Sequence, residues 1–191
     1  MQAEPFESLL KALSTSRLAP YHRDDDGGSE LTIYSRYLWN TALSESLYCV
    51  LQGLEVTLRN SIHDSITRYL GKEDWFEDIL ADPERKVLEV VEVVKERLKG
   101  QKIALDMGQL VANSSFGFWV SLFNSRYENI LWPQLLADIF PFMPKRIRKR
   151  RTISGRLNGI RGLRNRVFHY EPIWHRANLL KQHDEIIKTI A

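Results

Sequence analysis

The chain has 191 residues, of which 43% are apolar and 27% are charged, and its formal net charge is +3. These values are ordinary for a globular protein, and the length predicts a single domain over residues 1–191 with one substantial core. No stretch approaches the roughly 20 apolar residues of a membrane span, and the acidic N-terminus lacks the apolar run of a signal peptide.

The chain contains one cysteine, Cys49. A single thiol excludes an internal disulfide and fits a reducing, cytoplasmic compartment. Its neighbours Leu47, Tyr48, Val50 and Leu51 are apolar or aromatic, which predicts a buried packing residue rather than a nucleophile.

The first half of the chain is dominated by helical periodicity. Residues 4–13 predict a short helix, and residues 14–28, with Pro20 and an acidic and glycine-rich end, predict a mobile loop. Apolar residues then recur at steps of three or four from 31 to 70, which predicts one long helix ended by Gly71. Forty helical residues would span about 60 Å, so a kink or break is expected near Gly53 or before Asn40.

The second half continues the helical pattern. Trp75 and Phe76 are expected to pack a connection onto the core, and Asp82-Pro83 is typical of a helix start. A helix is predicted over residues 82–99. Another is predicted to begin near residue 107, to include Leu110 and Val111, and to extend toward the aromatic group at 116–123. Three more are predicted over 130–140, 154–172 and 177–190. The sequence therefore predicts an all-α bundle.

Chemistry is concentrated in residues 161–172, where Arg164 and Asn165 precede His169. A histidine can move protons near neutral pH, and an arginine can hold a phosphoryl group with paired donors. These residue types suit cleavage of a phosphodiester. The alternative is a solvated basic helix face whose cations are favoured by the C-terminal dipole.

Helix geometry complicates this site. Asn165 and His169 share a face, but Arg164 and His169 would point about 140° apart on a regular helix. Two arrangements would bring them onto one phosphate: an irregular helix end, or a homodimer in which both copies of the segment line one cleft.

Four blocks of the chain resemble the Abi-like abortive-infection family of the HEPN superfamily. They are Tyr37-x-x-Asn40, Leu-Glu-Val-Thr-Leu-Arg-Asn at 54–60, Ser-Phe-Gly-Phe-Trp at 115–119, and Arg164-Asn165-x-x-x-His169-x-Glu-Pro-Ile. The last block resembles the Arg-x(4–6)-His motif of the superfamily. Together the blocks cover about residues 35 to 175.

The resemblance implies an up-and-down bundle of four to five main helices, homodimerisation that joins two motifs, and metal-independent endoribonuclease activity linked to anti-phage or toxin-like RNA cleavage. His169 would act as general base or acid on the ribose 2′-hydroxyl. Arg164 would stabilise charge on the phosphorus, and Asn165 would orient the histidine or the phosphate. The products would carry 2′,3′-cyclic phosphate and 5′-hydroxyl ends.

Further residues are expected around this site. Six of the seven residues at 145–151 are basic, and phosphate contacts are predicted for Lys145, Arg146, Arg148, Lys149, Arg150, Arg151, Arg161 and Arg166. Glu55 and Arg59, at the favourable i,i+4 spacing, predict a helix pair. Glu55, Arg59, Asn60 and Tyr170 are expected to support the site.

Other chemistries are not predicted. His22, His63 and His183 lack carboxylate or cysteine partners at ligand spacing, so neither a zinc site nor a cofactor is expected. The aromatic residues between 116 and 123 are interpreted as core rather than as a base-stacking platform. The alternatives left open are a non-catalytic RNA- or protein-binding module and the regulatory member of a toxin–antitoxin pair with a cognate partner.

Overall fold

The computed structural model describes residues 5–23, 29–76, 79 and 86–190. These residues form nine α-helices and two 3₁₀ turns, and none of them lies in a strand, which confirms the all-α prediction. The helices are α1 (Pro5–Leu13), α2 (Thr15–Leu18), α3 (Glu30–Leu70), α4 (Lys86–Gly100), α5 (Met107–Asn113), α6 (Phe116–Ser121), α7 (Leu136–Ile139), α8 (Arg150–Phe168) and α9 (Leu179–Ile190).

Helix α3 is the axis of the fold. It is continuous over 41 residues, so the break expected near Gly53 or before Asn40 is wrong. An interior glycine costs only about 1 kcal/mol relative to alanine, and the buried stripe on both sides of Gly53 offsets that cost. Ser29 caps the start by accepting the backbone N–H of Thr32, and Gly71 ends the helix in the left-handed conformation, with φ 70°.

Part of the predicted loop at 14–28 is helical instead. Helix α2 and a 3₁₀ turn (Ala19–Tyr21) occupy its first half, and residues 24–28 lie outside the described ranges. Leu18 and Tyr21 are buried with Ile33 in a small second core beneath the start of α3. Burial of Leu18 and Tyr21 stabilises this helical segment, whereas the local composition alone indicates a loop.

The middle of the chain is more divided than its periodicity indicates. Asp106 caps α5 and Ser115 caps α6, so the helix predicted from residue 107 is interrupted at Ser114. Of the helix predicted over 130–140, only α7 is regular. The Asp82-Pro83 start lies outside the described residues, whereas Trp75 and Phe76 are buried as predicted.

The core is assembled on α3, which packs against α5, α6, α7, α8 and α9. Helix α8 also contacts α6 and α9, so it lies against the middle of the molecule with one exposed side. It begins at Arg150 rather than near Ser154 and ends at Phe168. No helix of the described ranges is both long enough and apolar enough to cross a membrane.

Candidate functional site

His169 lies at the C-terminal cap of α8. Its backbone N–H donates to the Asn165 carbonyl at 2.9 Å, and the N–H of Glu171 returns to the Arg166 carbonyl at 2.8 Å. The residue between them, Tyr170, has φ 58°, the left-handed conformation that favours glycine. The hydrogen bonds of the cap hold this strained turn in place, and His169 is exposed on it.

Arg164 lies on the side of α8 that faces α3. Its Nε donates to Oε2 of Glu55 at 3.2 Å, and its guanidinium lies 4.3 Å from the centroid of the Phe168 ring. The side chains of both ion-pair partners are about three-quarters or more covered. Among the described residues, no acceptor is bonded to the two terminal nitrogens of Arg164, so the pair orients the guanidinium without occupying its donor fork.

The predicted helix pair between Glu55 and Arg59 is wrong. Arg59 Nη1 instead donates to the Ala112 carbonyl at 2.9 Å, which ties α3 to the end of α5. Glu55 is therefore free to reach Arg164 on α8. Asn60 is exposed and makes no side-chain hydrogen bond with another described residue. Of the three α3 residues expected to support the site, only Glu55 has a side-chain hydrogen bond to α8.

The exposed face of α8 carries the remaining motif residues. Asn165 and His169 are both exposed, and Arg161 lies one turn before Asn165 on the same face. A β-carbon added at Gly117 would lie 4.0 Å from Arg161 Nη1, so this arginine lies over α6. Arg166 pairs with Glu171 at 3.4 Å across the cap, with both side chains half exposed.

Three glycines accompany these polar residues on α8. Gly155, Gly159 and Gly162 are exposed, and a β-carbon added at any of them would meet nothing within 4 Å. Each glycine destabilises the helix by about 0.5–1 kcal/mol relative to alanine. Packing within the chain does not account for them, and they give the exposed face of α8 a low, flat surface.

The basic segment 145–151 divides into two groups. Arg150 donates to the Phe123 carbonyl at 2.9 Å, pairs with Glu128 at 3.2 Å, and its side chain is only 13% exposed. Arg148 donates to the Phe140 carbonyl at 3.2 Å. These bonds fix part of each guanidinium against backbone carbonyls of the neighbouring turns. The phosphate contacts expected for both residues stay a prediction. The exposed members are Lys145, Arg146, Lys149 and Arg151.

Asn40 positions the chain that follows the motif helix. It is buried at 4% exposure, and its Oδ1 accepts the backbone N–H of Ile173 at 2.6 Å and of Trp174 at 3.1 Å. The pKa of Tyr21, which lines the same groove as Asn40, is raised chiefly because burial disfavours the phenolate. The segment after His169 is therefore fastened to α3 through one amide. In the sequence, the only sign of this role is that Asn40 is a polar residue at a position of α3 that helix periodicity places on the buried side.

An aromatic groove of about 670 Å³ adjoins the end of α8. Its wall includes Tyr48, whose ring stacks on Phe168 at 4.8 Å, together with Tyr37 and Tyr170. Cys49 also lines the groove and is exposed, so the prediction of a buried thiol is wrong. Adjacent residues of a helix point to different sides, and Cys49 lies off the buried stripe that contains Leu47 and Leu51. By contrast, Phe116, Phe118, Trp119 and Phe123 are buried in the main core, as predicted.

Within the described ranges, no group of three or more His, Cys, Asp or Glu side chains is arranged to hold a metal ion. His63 Nδ1 accepts a hydrogen bond from Trp75 Nε1 at 3.0 Å, which gives this histidine a structural partner. His183 lies 3.7 Å from Asp184 on α9.

Comparison of the chain with models of protein families, with curated proteins and with solved structures yields no match.

Proposed function

We propose that the protein is a metal-independent endoribonuclease of HEPN type that acts in abortive infection or in toxin-like RNA cleavage. The observation that carries the proposal is that His169 is exposed on a hydrogen-bonded helix cap, on the same helix face as exposed Asn165. The preceding residue, Phe168, packs its ring against the guanidinium of Arg164. This arrangement combines an accessible proton-transfer group with an oriented cation.

In the proposed reaction, His169 removes the proton from a ribose 2′-hydroxyl, and the 2′-oxygen attacks the adjacent phosphorus. The bond from phosphorus to the 5′-oxygen breaks, and the leaving oxygen takes up a proton. The products are a 2′,3′-cyclic phosphate and a 5′-hydroxyl. Arg164 stabilises the charge that develops on the phosphoryl oxygens, and Glu55 holds that arginine in orientation through Nε.

Homodimerisation is part of the proposal because one protomer supplies only one motif histidine. Arg164 faces α3 whereas His169 is exposed, and no hydrogen bond or ion pair joins them. In the proposed dimer, the exposed faces of two α8 helices line one cleft, so that one protomer supplies the base and its partner supplies the acid. Lys145, Arg146, Lys149 and Arg151 then extend the phosphate-binding surface along the RNA.

The substrate itself provides the direct test of this chemistry. Purified protein incubated with single-stranded RNA in excess EDTA is expected to yield fragments with cyclic-phosphate and 5′-hydroxyl ends. An otherwise identical RNA with a 2′-deoxynucleotide at the cleaved position should remain intact there, because it lacks the nucleophile. Cleavage at the deoxynucleotide, or loss of cleavage in EDTA, would show that the 2′-oxygen mechanism is incorrect.

The exposed glycines of α8 give a second prediction. Replacing Gly155, Gly159 and Gly162 together by alanine should raise the free energy of unfolding by about 1.5–3 kcal/mol, since each site is open and alanine is the better helix former. RNA cleavage should nevertheless fall, because three methyl groups would hold RNA and the partner helix away from Asn165 and His169. Denaturant unfolding and cleavage rates measure the two effects.

Gly100→Ala is the matched control for the triple variant. Gly100 is also exposed, also meets nothing within 4 Å, and lies at the end of α4. It should leave cleavage unchanged. A triple variant that is more stable yet cleaves RNA at the wild-type rate would mean that nothing approaches this face during the reaction.

A non-catalytic RNA-binding module is the second candidate. The observation in its favour is the ion pair of Arg164 with Glu55, which reduces the net charge available to a phosphate. Such a module would bind RNA through Lys145, Arg146, Lys149 and Arg151 without cutting it. Its binding would be lost when these four residues are neutralised and retained in His169→Ala.

A further inference from the structure

Five aromatic side chains, from two helices and one turn, line the groove beside α8. Tyr37 and Tyr48 come from α3, Phe168 and Tyr170 from the end of α8, and Tyr21 from the 3₁₀ turn. Its volume of about 670 Å³ falls within the range of small-ligand sites. A surface of this kind, left open in a folded chain, suits a flat ligand.

The aromatic rings form an ordered stack that reaches the motif. The guanidinium of Arg164 lies 4.3 Å from the centroid of Phe168, and Phe168 stacks on Tyr48 with ring centroids 4.8 Å apart and planes 16° apart. Tyr48 is 47% exposed. A planar group placed on the free part of Tyr48 would extend this stack and would lie close to the candidate phosphate site.

Polar groups at the groove indicate which planar ligand fits. Glu45 adds an exposed carboxylate, and Arg17, 5.7 Å from the Tyr170 ring centroid, adds a cation at the same groove. Hydrogen-bonding groups beside aromatic faces recognise the edge of an unpaired nucleobase, and the arginine complements its phosphate.

We propose that the groove binds one unstacked nucleobase of a single-stranded RNA, next to the phosphate that lies at Arg164 and His169. The base stacks on Tyr48, its edge is hydrogen-bonded by Glu45, and Arg17 contacts the backbone. The proposal rests on the proposed function for the identity of its ligand. In this arrangement, Phe168 lies between Tyr48, on which the base stacks, and Arg164 of the motif.

Cys49 provides the measurement, because it is the chain's only cysteine and it lines the groove in an exposed position. The His169→Ala protein is titrated with a short single-stranded oligoribonucleotide, and the rate of Cys49 alkylation by a maleimide is followed. The oligoribonucleotide should slow alkylation about tenfold or more at saturation. The same oligomer with abasic nucleotides in place of its bases should not protect.

Tyr48→Ala, made in the His169→Ala background, should weaken base-dependent protection about tenfold in RNA concentration, since stacking on one aromatic ring accounts for a difference of that size. Tyr69→Ala is the matched control, because Tyr69 is an exposed tyrosine of the same helix outside the groove. It should retain full protection. The rate of each variant without RNA serves as its own reference, which corrects for any change in thiol reactivity.

The two proposals fail in different ways. Base-dependent protection that requires Tyr48 supports the groove even if the wild-type protein cleaves no RNA. RNA cleavage by the wild type without protection of Cys49, or equal protection by the abasic oligomer, overturns the nucleobase site and leaves the proposed function standing. A free nucleoside monophosphate that protects as well as the oligoribonucleotide would also overturn it, because the groove would then serve a mononucleotide.

Discussion

Replacement of His169 by alanine is expected to slow RNA cleavage by about 100-fold or more, because positioned acid–base groups contribute factors of that size. The side chain is exposed on the cap of α8, so its removal leaves no cavity and should change the free energy of unfolding by less than about 0.5 kcal/mol. Cleavage rates in excess EDTA and denaturant unfolding measure the two quantities on the same preparations. Loss of activity without loss of stability is the expected combination.

His183→Ala is the control for this experiment, since His183 is a partly exposed histidine outside residues 161–172 that lies beside Asp184 on α9. It should cleave RNA at the wild-type rate. RNA binding by His169→Ala should stay within about threefold of wild type, because phosphate contacts by the basic residues supply most of the affinity. Equal cleavage by His169→Ala and wild type would indicate a contaminating nuclease and would remove the basis of the enzyme assignment.

Asn40→Leu is expected to lower the free energy of unfolding by about 2–4 kcal/mol. The substitution keeps the number and branching of the side-chain heavy atoms but removes the acceptor of the buried Ile173 N–H and of the partly buried Trp174 N–H. Each unsatisfied buried donor costs about 1–3 kcal/mol. The midpoint of denaturant unfolding and its slope give the loss directly.

Asn60→Ala is the matched control for Asn40→Leu, because Asn60 is an exposed asparagine of the same helix. It should change stability by no more than about 0.5 kcal/mol. A loss below 1 kcal/mol in Asn40→Leu would show that the turn after α8 does not depend on this amide. The variant should also reduce cleavage, since the loosened turn carries His169 and Tyr170.

Much of the fold follows from local pattern. The apolar spacing of residues 43–70 predicts the buried stripe of α3, and Gly71 predicts its end, because both depend only on helix periodicity and on the φ that glycine allows. The caps at Asp106 and Ser115 were also present in the sequence. The apolar spacing continues across these caps and predicts one helix, whereas the backbone forms two helices that are separated at Ser114 and Ser115.

The sequence predicts the residue types of the candidate site but not their pairings. Glu55 and Arg59 have the spacing of a helix pair, yet Glu55 binds Arg164, which is 109 positions away in the chain. Arg150 belongs to a basic run typical of RNA contacts, yet the Phe123 carbonyl and Glu128 occupy it. Helix spacing predicts pairs only between neighbours on one helix. The observed partners of Glu55 and Arg150 come from other parts of the fold.

By itself, the sequence determined that the protein is all-α and that Phe116, Phe118 and Trp119 belong to the core. It also predicts phosphodiester chemistry at Arg164, Asn165 and His169. Only the tertiary structure decided that Glu55 orients Arg164, that Asn40 fastens the turn after His169, and that Tyr48 and Phe168 form a groove containing exposed Cys49. The physical reason is the range of the interactions. Helix periodicity and capping act over a few residues, whereas the pairings that build the site join positions more than 100 residues apart.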